Sequence, residues 1–231
     1  MKRFLIIFLL CCPWFSVQTQ TITIKKITSE INSSFRGLSV VNDQVAWVSG
    51  NHGWIGKTTD AGNSWEWMRI NNDSTADYRT LYAFDDQRVI VAGTGSPAKI
   101  FLTNDGGKKW HLIYSNNHPE IFLDGIDFWN KKQGIIYGDP IGGHLTLLKT
   151  NDGGESWELS DSKYTPEIFP GEASFAASGT TIRCDDDKKV WIGTGGIHAR
   201  LLYSDDQGKT WKAKTPAMIQ GKPTQGIFSI A

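Results

Sequence analysis

One eight-residue pattern occurs four times in this sequence and decides the fold. The first copy is Thr58-Thr59-Asp60-Ala61-Gly62-Asn63-Ser64-Trp65. The other copies run over residues 103–110, 150–157 and 204–211, and all four share Thr/Ser-x-Asp-x-Gly-x-x-Trp. Their aspartates stand at positions 60, 105, 152 and 206, so successive copies are 45, 47 and 54 residues apart. Near-regular recurrence of this kind predicts a repeated supersecondary unit.

The residue types of the pattern indicate a tight turn with a structural role. The aspartate carboxylate can accept hydrogen bonds from the backbone N–H groups that follow it, and the leading hydroxyl can join them. The glycine can take a positive φ, and the tryptophan offers a large apolar surface for burial against a neighbour. We therefore interpret the following residues as structural and not catalytic: Asp60, Gly62, Trp65, Asp105, Gly107, Trp110, Asp152, Gly154, Trp157, Asp206, Gly208 and Trp211.

Three apolar, β-rich runs precede each copy, and no helical stripe of three or four turns interrupts them. In the first repeat the runs are 37–41, 45–50 and 54–57, and in the fourth they are 173–177, 190–193 and 199–203. With the strand that begins at each tryptophan, every repeat has four short strands, which is typical of a β-propeller blade. We predict an all-β propeller over residues 21–231, with the pattern between the third and fourth strands. The predicted blades are approximately 30–75, 76–117, 118–165 and 170–216.

The first twenty residues predict a signal peptide. Lys2 and Arg3 precede the apolar run 4–12, which is too short to cross a bilayer as a mature helix. We expect cleavage between residues 16 and 21 and export to the periplasm, the cell surface or the medium, and not an integral membrane protein. Lipidation at Cys11 or Cys12 is the alternative.

The two ends of the remaining chain each predict a lone strand. Residues 21–27 alternate before the first blade, and residues 225–231 are typical of the innermost strand of a further blade. Because natural proteins avoid unpaired strand edges, we expect this sequence to be part of a longer propeller.

Charge and cysteine content narrow the functional classes. Lys plus Arg and Asp plus Glu are 24 each, which argues against a nucleic-acid binder. Once the signal is removed, Cys184 is the remaining cysteine, so no intramolecular disulfide is expected, and we predict a buried structural thiol. The five histidines show no ligand-like spacing, and we expect neither a metal nor a cofactor.

The four copies resemble the Asp-box, or BNR, repeats of sialidases, sortilin-type domains and xyloglucan-active glycosidases. The fuller unit, residues 49–58 with the box that follows, is more similar to the Ycf48-like family of photosystem II assembly factors and its non-photosynthetic bacterial relatives. The resemblance extends over residues 35–231. It implies the propeller fold, but the same blade supports both enzymes and binding proteins.

Three residues at equivalent positions are the candidate ligand contacts. Arg36, Arg79 and Asp124 each precede the innermost strand of a blade, which places them at the mouth of the predicted channel. Two arginines there could clamp a carboxylate or an acidic protein segment. The alternative is that each arginine pairs with a neighbouring carboxylate, such as Asp77 or Asp124.

Two functions remain open. The favoured one is a non-enzymatic binding or assembly-factor-like module of the cell envelope, with an unidentified protein or glycan ligand. The alternative is a glycosidase of sialidase-like or xyloglucanase-like type. Its carboxylate pair could come from Glu120, Asp124, Asp127 and Asp139. Against a sialidase, Phe35-Arg36-Gly37 departs from the Phe-Arg-Ile-Pro pattern of that family.

Overall fold

The computed structural model describes residue 24 and residues 31–71, 73–185 and 188–230. The predicted signal segment and nearly all of the predicted strand 21–27 lie outside the described residues. From Ile31 onward the chain forms one compact unit.

Four four-stranded antiparallel sheets follow one another along the chain, and in each the strand order is the sequence order. The first sheet has β1 (Phe35–Val40), β2 (Ala46–Gly50), β3 (Trp54–Thr58) and β4 (Glu66–Arg69). The second has β5 (Tyr78–Ala83), β6 (Val89–Gly93), β7 (Ala98–Thr103) and β8 (His111–Asn116). The third has β9 (Leu123–Phe128), β10 (Gly134–Ile141), β11 (His144–Thr150) and β12 (Glu158–Leu159).

The fourth sheet follows a longer connection. That connection contains the 3₁₀ helix η1 (Ser162–Tyr164) and β13 (Glu172–Ala173), which pairs with the short strand β16 (Gly195–Gly196). The fourth sheet itself has β14 (Ile182–Asp185), β15 (Lys189–Gly193), β17 (Leu201–Ser204) and β18 (Lys212–Lys214).

The first strands of the four sheets lie innermost. Strand β1 packs beside β5, β5 beside β9, and β9 beside β14. These strands line a central cavity of about 310 Å³, whose walls include Leu38, Leu81, Ile126 and Arg183. The radial arrangement of four-stranded antiparallel sheets confirms the predicted propeller architecture.

The apolar core lies between successive sheets and not within any one of them. One cluster joins Trp47 and Ile55 of the first sheet to Val91 of the second. Equivalent clusters join the second sheet to the third and the third to the fourth. Each sheet is therefore stabilised mainly by burial against its neighbours.

The box tryptophans take part in these clusters. Trp110, Trp157 and Trp211 each pack into the cluster between their own sheet and the preceding one. Trp65 of the first sheet is half-buried and stacks on Trp67, with ring centroids 5.6 Å apart. The prediction that the tryptophan packs against a neighbour is confirmed for the last three copies.

Each box is a hydrogen-bonded turn of the predicted kind. In the third copy, Thr150 Oγ1 donates to Asp152 Oδ1 over 2.7 Å, and the Gly154 N–H donates to Thr150 Oγ1 over 2.9 Å. The N–H and the hydroxyl of Ser156 both donate to the Asp152 carboxylate, at 3.1 and 2.6 Å. The other copies repeat this arrangement. The four box glycines have φ of 79°, 89°, 87° and 70°, as predicted.

These hydrogen bonds stabilise the ionised aspartates. Hydrogen bonds from the side chain and backbone of Ser64 lower the pKa of Asp60 to about 2. For Asp152, partial burial raises the pKa, but the hydrogen bonds from Ser156 and Thr150 outweigh it and bring the pKa to about 2. The carboxylates are therefore committed to the turn and are unsuited to acid–base chemistry near neutral pH.

Cations of one sheet bind carbonyl groups in the box of the next. Arg88 donates to the Gly153 carbonyl over 2.8 Å, and Lys149 Nζ donates to the Gly208 carbonyl over 2.8 Å. Lys57 makes the equivalent contact with Gly106, at 3.4 Å. The boxes thus join neighbouring sheets through polar contacts as well as through their tryptophans.

Two predicted strands are wrong. The first strand of the fourth sheet is Ile182–Asp185 and not 173–177, because Ile182 is the fully buried residue that packs against the third sheet. Residues 227–230 form no strand, and Gly226 makes a single bridge to Gly195. The Ile227 N–H donates to the carbonyl of Thr194, a loop residue after β15, and not to a neighbouring strand.

The structural role of the boxes predicts unequal effects at two adjacent aspartates. Asp206→Ala removes the acceptor of the fourth turn and should lower the free energy of unfolding by about 1–3 kcal/mol. Asp205→Ala removes an exposed partner of Lys212 and should change it by about 0.5 kcal/mol or less. Urea unfolding of both variants measures the difference. Equal losses would show that the carboxylate does not hold the turn.

Candidate functional site

The three candidate contact residues lie at β-bulges in equivalent positions. Phe35 pairs with Gly50 and Gly37 pairs with Ser49, so Arg36 is the extra residue of the first strand. Arg79 in β5 and Asp124 in β9 are likewise the extra residues at which the pairing register shifts. Bulges re-aim side chains and are frequent beside functional sites. The three residues thus share one end of the sheets, opposite to the boxes, which we call the bulge end.

The two arginines have different surroundings. Arg79 Nε donates to Asp77 Oδ2 over 2.7 Å, and its guanidinium lies 5.5 Å from the centre of the Phe122 ring. Pairing with a neighbouring carboxylate, the alternative considered for both arginines, therefore holds for Arg79. Arg36 is exposed and forms no ion pair within residues 31–71, 73–185 and 188–230.

Asp124 lies beneath the surface and not on it. Its side chain is fully buried, and burial together with the nearby Asp139 charge raises its pKa well above the usual value. The Arg79 charge and the N–H groups of Ala176 and Asp139 act in the opposite direction, but neither carboxyl oxygen has a well-formed hydrogen bond. Burial and the nearby Asp139 charge therefore disfavour the ionised form of Asp124.

A long connection lies at the bulge end. Residues 160–181 join the third sheet to the fourth, whereas residues 70–77 and 117–122 suffice for the two equivalent connections. Long ordered loops on a rigid scaffold commonly carry function. Sequence reasoning missed this segment, although the wider spacing between the third and fourth boxes was a sign of it.

A buried ion pair fixes the long connection. The Glu172 side chain is buried, and Arg200 contacts both of its oxygens, with Nε 2.9 Å and Nη2 2.7 Å from Oε2. Arg200 also donates to the Glu167 carbonyl over 2.7 Å and lies 4.0 Å from the centre of the Phe169 ring. The connection is therefore held to residues 194–200 by a multidentate, charge-assisted contact.

Exposed apolar side chains concentrate on three loops at this end of the fourth sheet. The loops are residues 160–181, 194–200 and 215–220, and the N–H of Ala199 binds Gln220 Oε1 over 2.8 Å. The exposed set is Tyr164, Phe169, Ile197, Met218 and Ile219. We call this set the rim. An exposed apolar patch that is surrounded by polar residues is typical of a protein interaction site.

The carboxylates considered for glycoside hydrolysis are largely committed to the fold. Asp127 accepts hydrogen bonds from the backbone N–H groups of Phe128 and Cys184, each at 2.8 Å. Asp139 Oδ1 accepts the Ser174 N–H at 3.0 Å, and burial raises the pKa of both aspartates. Of the four candidates, Glu120 alone is an exposed carboxylate.

A second cavity, of about 680 Å³, lies at the same end between the second and third sheets. Asn116, His118, His144, Leu159 and Asp161 are among its lining residues. Within the described residues, no three His, Cys, Asp or Glu side chains are placed to hold a metal ion. The same residues contain no helix that is long and apolar enough to span a membrane.

The prediction of a buried structural thiol at Cys184 is met in part. It is a free thiol of intermediate exposure, and burial of the sulfur raises its pKa. A thiol in this state is a poor nucleophile.

Comparisons with known proteins agree with this geometry. The family model described as Photosynthesis system II assembly factor YCF48 matches residues 17–119, and the BNR/Asp-box repeat model matches residues 202–213. These matches confirm that the chain is built from Asp-box repeats and resembles the Ycf48-like family.

The similar proteins are distant or much longer. Vacuolar protein sorting/targeting protein 10 of Colletotrichum graminicola is 33% identical over 69 residues, which are 30% of this chain and 4% of that protein. The GH74 xyloglucanase from Xanthomonas campestris has a TM-score of 0.54 at 14% identity, over 82% of this chain and 31% of that one. A structure of YCF48 bound to D1 peptide has a TM-score of 0.45 at 16% identity, over 87% and 91%. The xyloglucanase similarity concerns the fold, and the chain spans a small part of the curated relative.

The raised pKa of Asp124 predicts a pH-dependent difference between the parent and Asp124→Asn. A carboxyl group whose folded pKa is raised loses stability as the pH rises above its unfolded pKa of about 4. Asparagine keeps the shape without that loss, so the variant should gain stability relative to the parent between pH 4 and pH 7.

Urea unfolding of the two proteins at pH 4, 5.5 and 7 measures this difference. Both proteins contain the same box aspartates, so the pH dependence of stability that these residues cause cancels when the two are compared. A variant that loses stability relative to the parent as the pH rises would show that Asp124 is ionised and favourably paired.

Proposed function

We propose that this chain is a non-enzymatic, protein-binding propeller that acts in the manner of an assembly factor, with its partner bound at the bulge end. The observation that carries the proposal is the concentration of exposed apolar side chains on the three loops of the rim. The box end, in contrast, is occupied by turns committed to the fold.

The rim has the composition of a protein contact surface. Phe169 is 49% exposed and Ile197 is 44% exposed, and Arg200 is held against the Phe169 ring by its bonds to Glu172. Aromatic residues and arginines dominate binding energy at interfaces, and a pre-ordered side chain costs less entropy on binding.

The bulge end also offers a positive charge that forms no ion pair within the described residues. Arg36 is exposed there, whereas Arg79 is balanced by Asp77. An exposed arginine with no ion pair among the described residues favours orientation of a partner that carries carboxylates. Binding of an acidic partner segment by Arg36 is therefore part of the proposal.

The repeat family supports an assembly role. The YCF48 family model, described as an assembly factor, covers the first two sheets and the segment before them. An assembly factor acts by holding other proteins. The basic pair and apolar run of residues 2–12 support export, so we place this activity in the cell envelope or outside the cell.

The geometry gives little support to the glycosidase alternative. Asp124 is buried away from any substrate, and Asp127 and Asp139 accept backbone N–H groups. A glycosidase needs two carboxyl groups that both reach the scissile bond. Similarity of fold to a xyloglucanase does not supply that pair.

Partner binding should depend on the rim and not on exposed apolar residues elsewhere. Proteins captured by the parent from envelope extracts of its own organism would be purified, and their affinity measured by calorimetry for Ile197→Ser and Leu112→Ser. The two side chains are 44% and 54% exposed, so the variants are matched. Ile197→Ser should weaken binding at least about tenfold, as expected for a residue in the buried centre of an interface.

Leu112→Ser, in an outer strand of the second sheet, should bind like the parent. Equal effects of the two variants would contradict the assignment of the rim. Turnover of xyloglucan or a sialoside by the parent would contradict the non-enzymatic proposal.

A further inference from the structure

The last part of the long connection lies over the bulges of β9 and β5, beside the central cavity. We call residues 174–180 the strap. It belongs to no strand, although its sequence resembles the first strand of a blade. Ser174 and Ala176 are buried and Ala177 is exposed, so the strap lies flat against the molecule with one side covered.

The strap covers the bulges of two sheets. At its start, the Ser174 N–H donates to Asp139 Oδ1, and the Ala176 N–H lies near Asp124. Near its end, a Cβ on Gly179 would lie 3.5 Å from the Arg79 carbonyl oxygen and 3.7 Å from Thr80 Oγ1. Gly179 and Thr180 also line the central cavity. Access to Thr80 and Asp124 from this end is therefore blocked by the strap.

The surface beneath the strap is incompletely satisfied. Several buried polar atoms have no hydrogen-bond partner in the described part of the chain, namely Thr80 Oγ1 and both carboxyl oxygens of Asp124 beneath the strap, and Ser174 Oγ on the strap itself. Buried polar groups are normally paired, and unpaired ones call for a physical reason. Their concentration at the bulges indicates a surface with more hydrogen-bonding capacity than the strap uses.

The strap is held by a small latch, in which Phe175 is half-buried against Gly195 and Gly226 and Phe228 is exposed. The rings of Phe175 and Phe228 stack with centroids 4.7 Å apart and planes 9° apart, and Phe228 is 46% exposed. Ser178 Oγ donates to the Phe228 carbonyl over 2.8 Å, and the Ile230 N–H donates to the Thr180 carbonyl over 2.8 Å. Segments with few buried apolar contacts open at low free-energy cost.

We infer that the strap is a displaceable cover of the channel mouth, and that an extended peptide segment of the partner takes its place beside Asp139, Asp124 and Thr80. This inference rests on the proposed function and adds a way in which partner binding is regulated. The incoming segment is recognised as the strap is, by backbone N–H groups directed at Asp139 and Asp124 and by an aromatic side chain that stacks on Phe228. The partner binds only molecules whose strap has opened, which lowers its apparent affinity by the closed fraction.

The cover is tested by cysteine accessibility in the full chain. Thr80→Cys places a thiol directly under Gly179, and its alkylation by iodoacetamide is followed by peptide-resolved mass spectrometry. Phe175→Ala in this background should raise the alkylation rate about fivefold, in the range that one aromatic pair supports. The matched control is Tyr164→Ala, an exposed aromatic residue of the same connection outside the strap, which should leave the rate unchanged.

The peptide half of the inference is tested in trans. A synthetic peptide of residues 172–181 should return the alkylation rate of the Phe175→Ala protein toward that of the parent, because its phenylalanine can stack on Phe228. The same peptide with Phe175→Ala should protect far less. Far-ultraviolet circular dichroism of each variant establishes that it is folded.

Three results would overturn the inference. If the thiol introduced by Thr80→Cys reacts as fast with the strap latched as it does in urea, the mouth is not covered. If Phe175→Ala and Tyr164→Ala change the rate equally, the latch is wrong. If the intact peptide fails to protect the opened variant, no peptide segment takes the place of the strap. No partner protein is needed, so failure of the proposed function would be seen separately in the capture experiment.

Discussion

The packing of the box tryptophan against the preceding sheet, found in the last three copies, is the contact on which the other features of this structure depend. A four-stranded sheet of this size cannot bury both of its faces alone, so each must be covered by its neighbours. Trp110, Trp157 and Trp211 provide that cover at the start of each outer strand. The aspartate turn sets where the tryptophan emerges, which explains why carboxylate, glycine and tryptophan recur together.

The need to place the tryptophan also determines at which end of the sheets the connections can vary in length. The box end is tied by turn hydrogen bonds and by Arg88 and Lys149, which bridge to the next sheet. Connections at the bulge end carry no such requirement and differ widely in length. The longest of them, residues 160–181, is stabilised by the Glu172–Arg200 pair, exposes apolar side chains and lies over the bulges of β5 and β9. The surface proposed to bind the partner is therefore built from the part of each repeat that the fold leaves free.

The repeated and local features were predictable from the sequence. The turn chemistry of the boxes, the first three sheets and the equivalence of Arg36, Arg79 and Asp124 follow from spacing and residue type. The strand predicted at 173–177 was wrong, because a short run of small residues has no strong preference and long-range packing of Ile182 decided the outcome. The Arg79–Asp77 pair, the burial of Asp124 and the rim depend on contacts between distant segments, which a single sequence does not reveal.

The most direct test of this account is amide hydrogen exchange of Trp157→Ala, compared with Trp65→Ala. Trp157 packs into the cluster between the second and third sheets, whereas Trp65 stacks on Trp67 within the first sheet. If the box tryptophan stabilises the preceding sheet, Trp157→Ala will speed exchange in β6 and β7 as well as in β11. Trp65→Ala will speed exchange within the first sheet alone. An effect of Trp157→Ala confined to its own sheet would contradict the central role assigned to this contact.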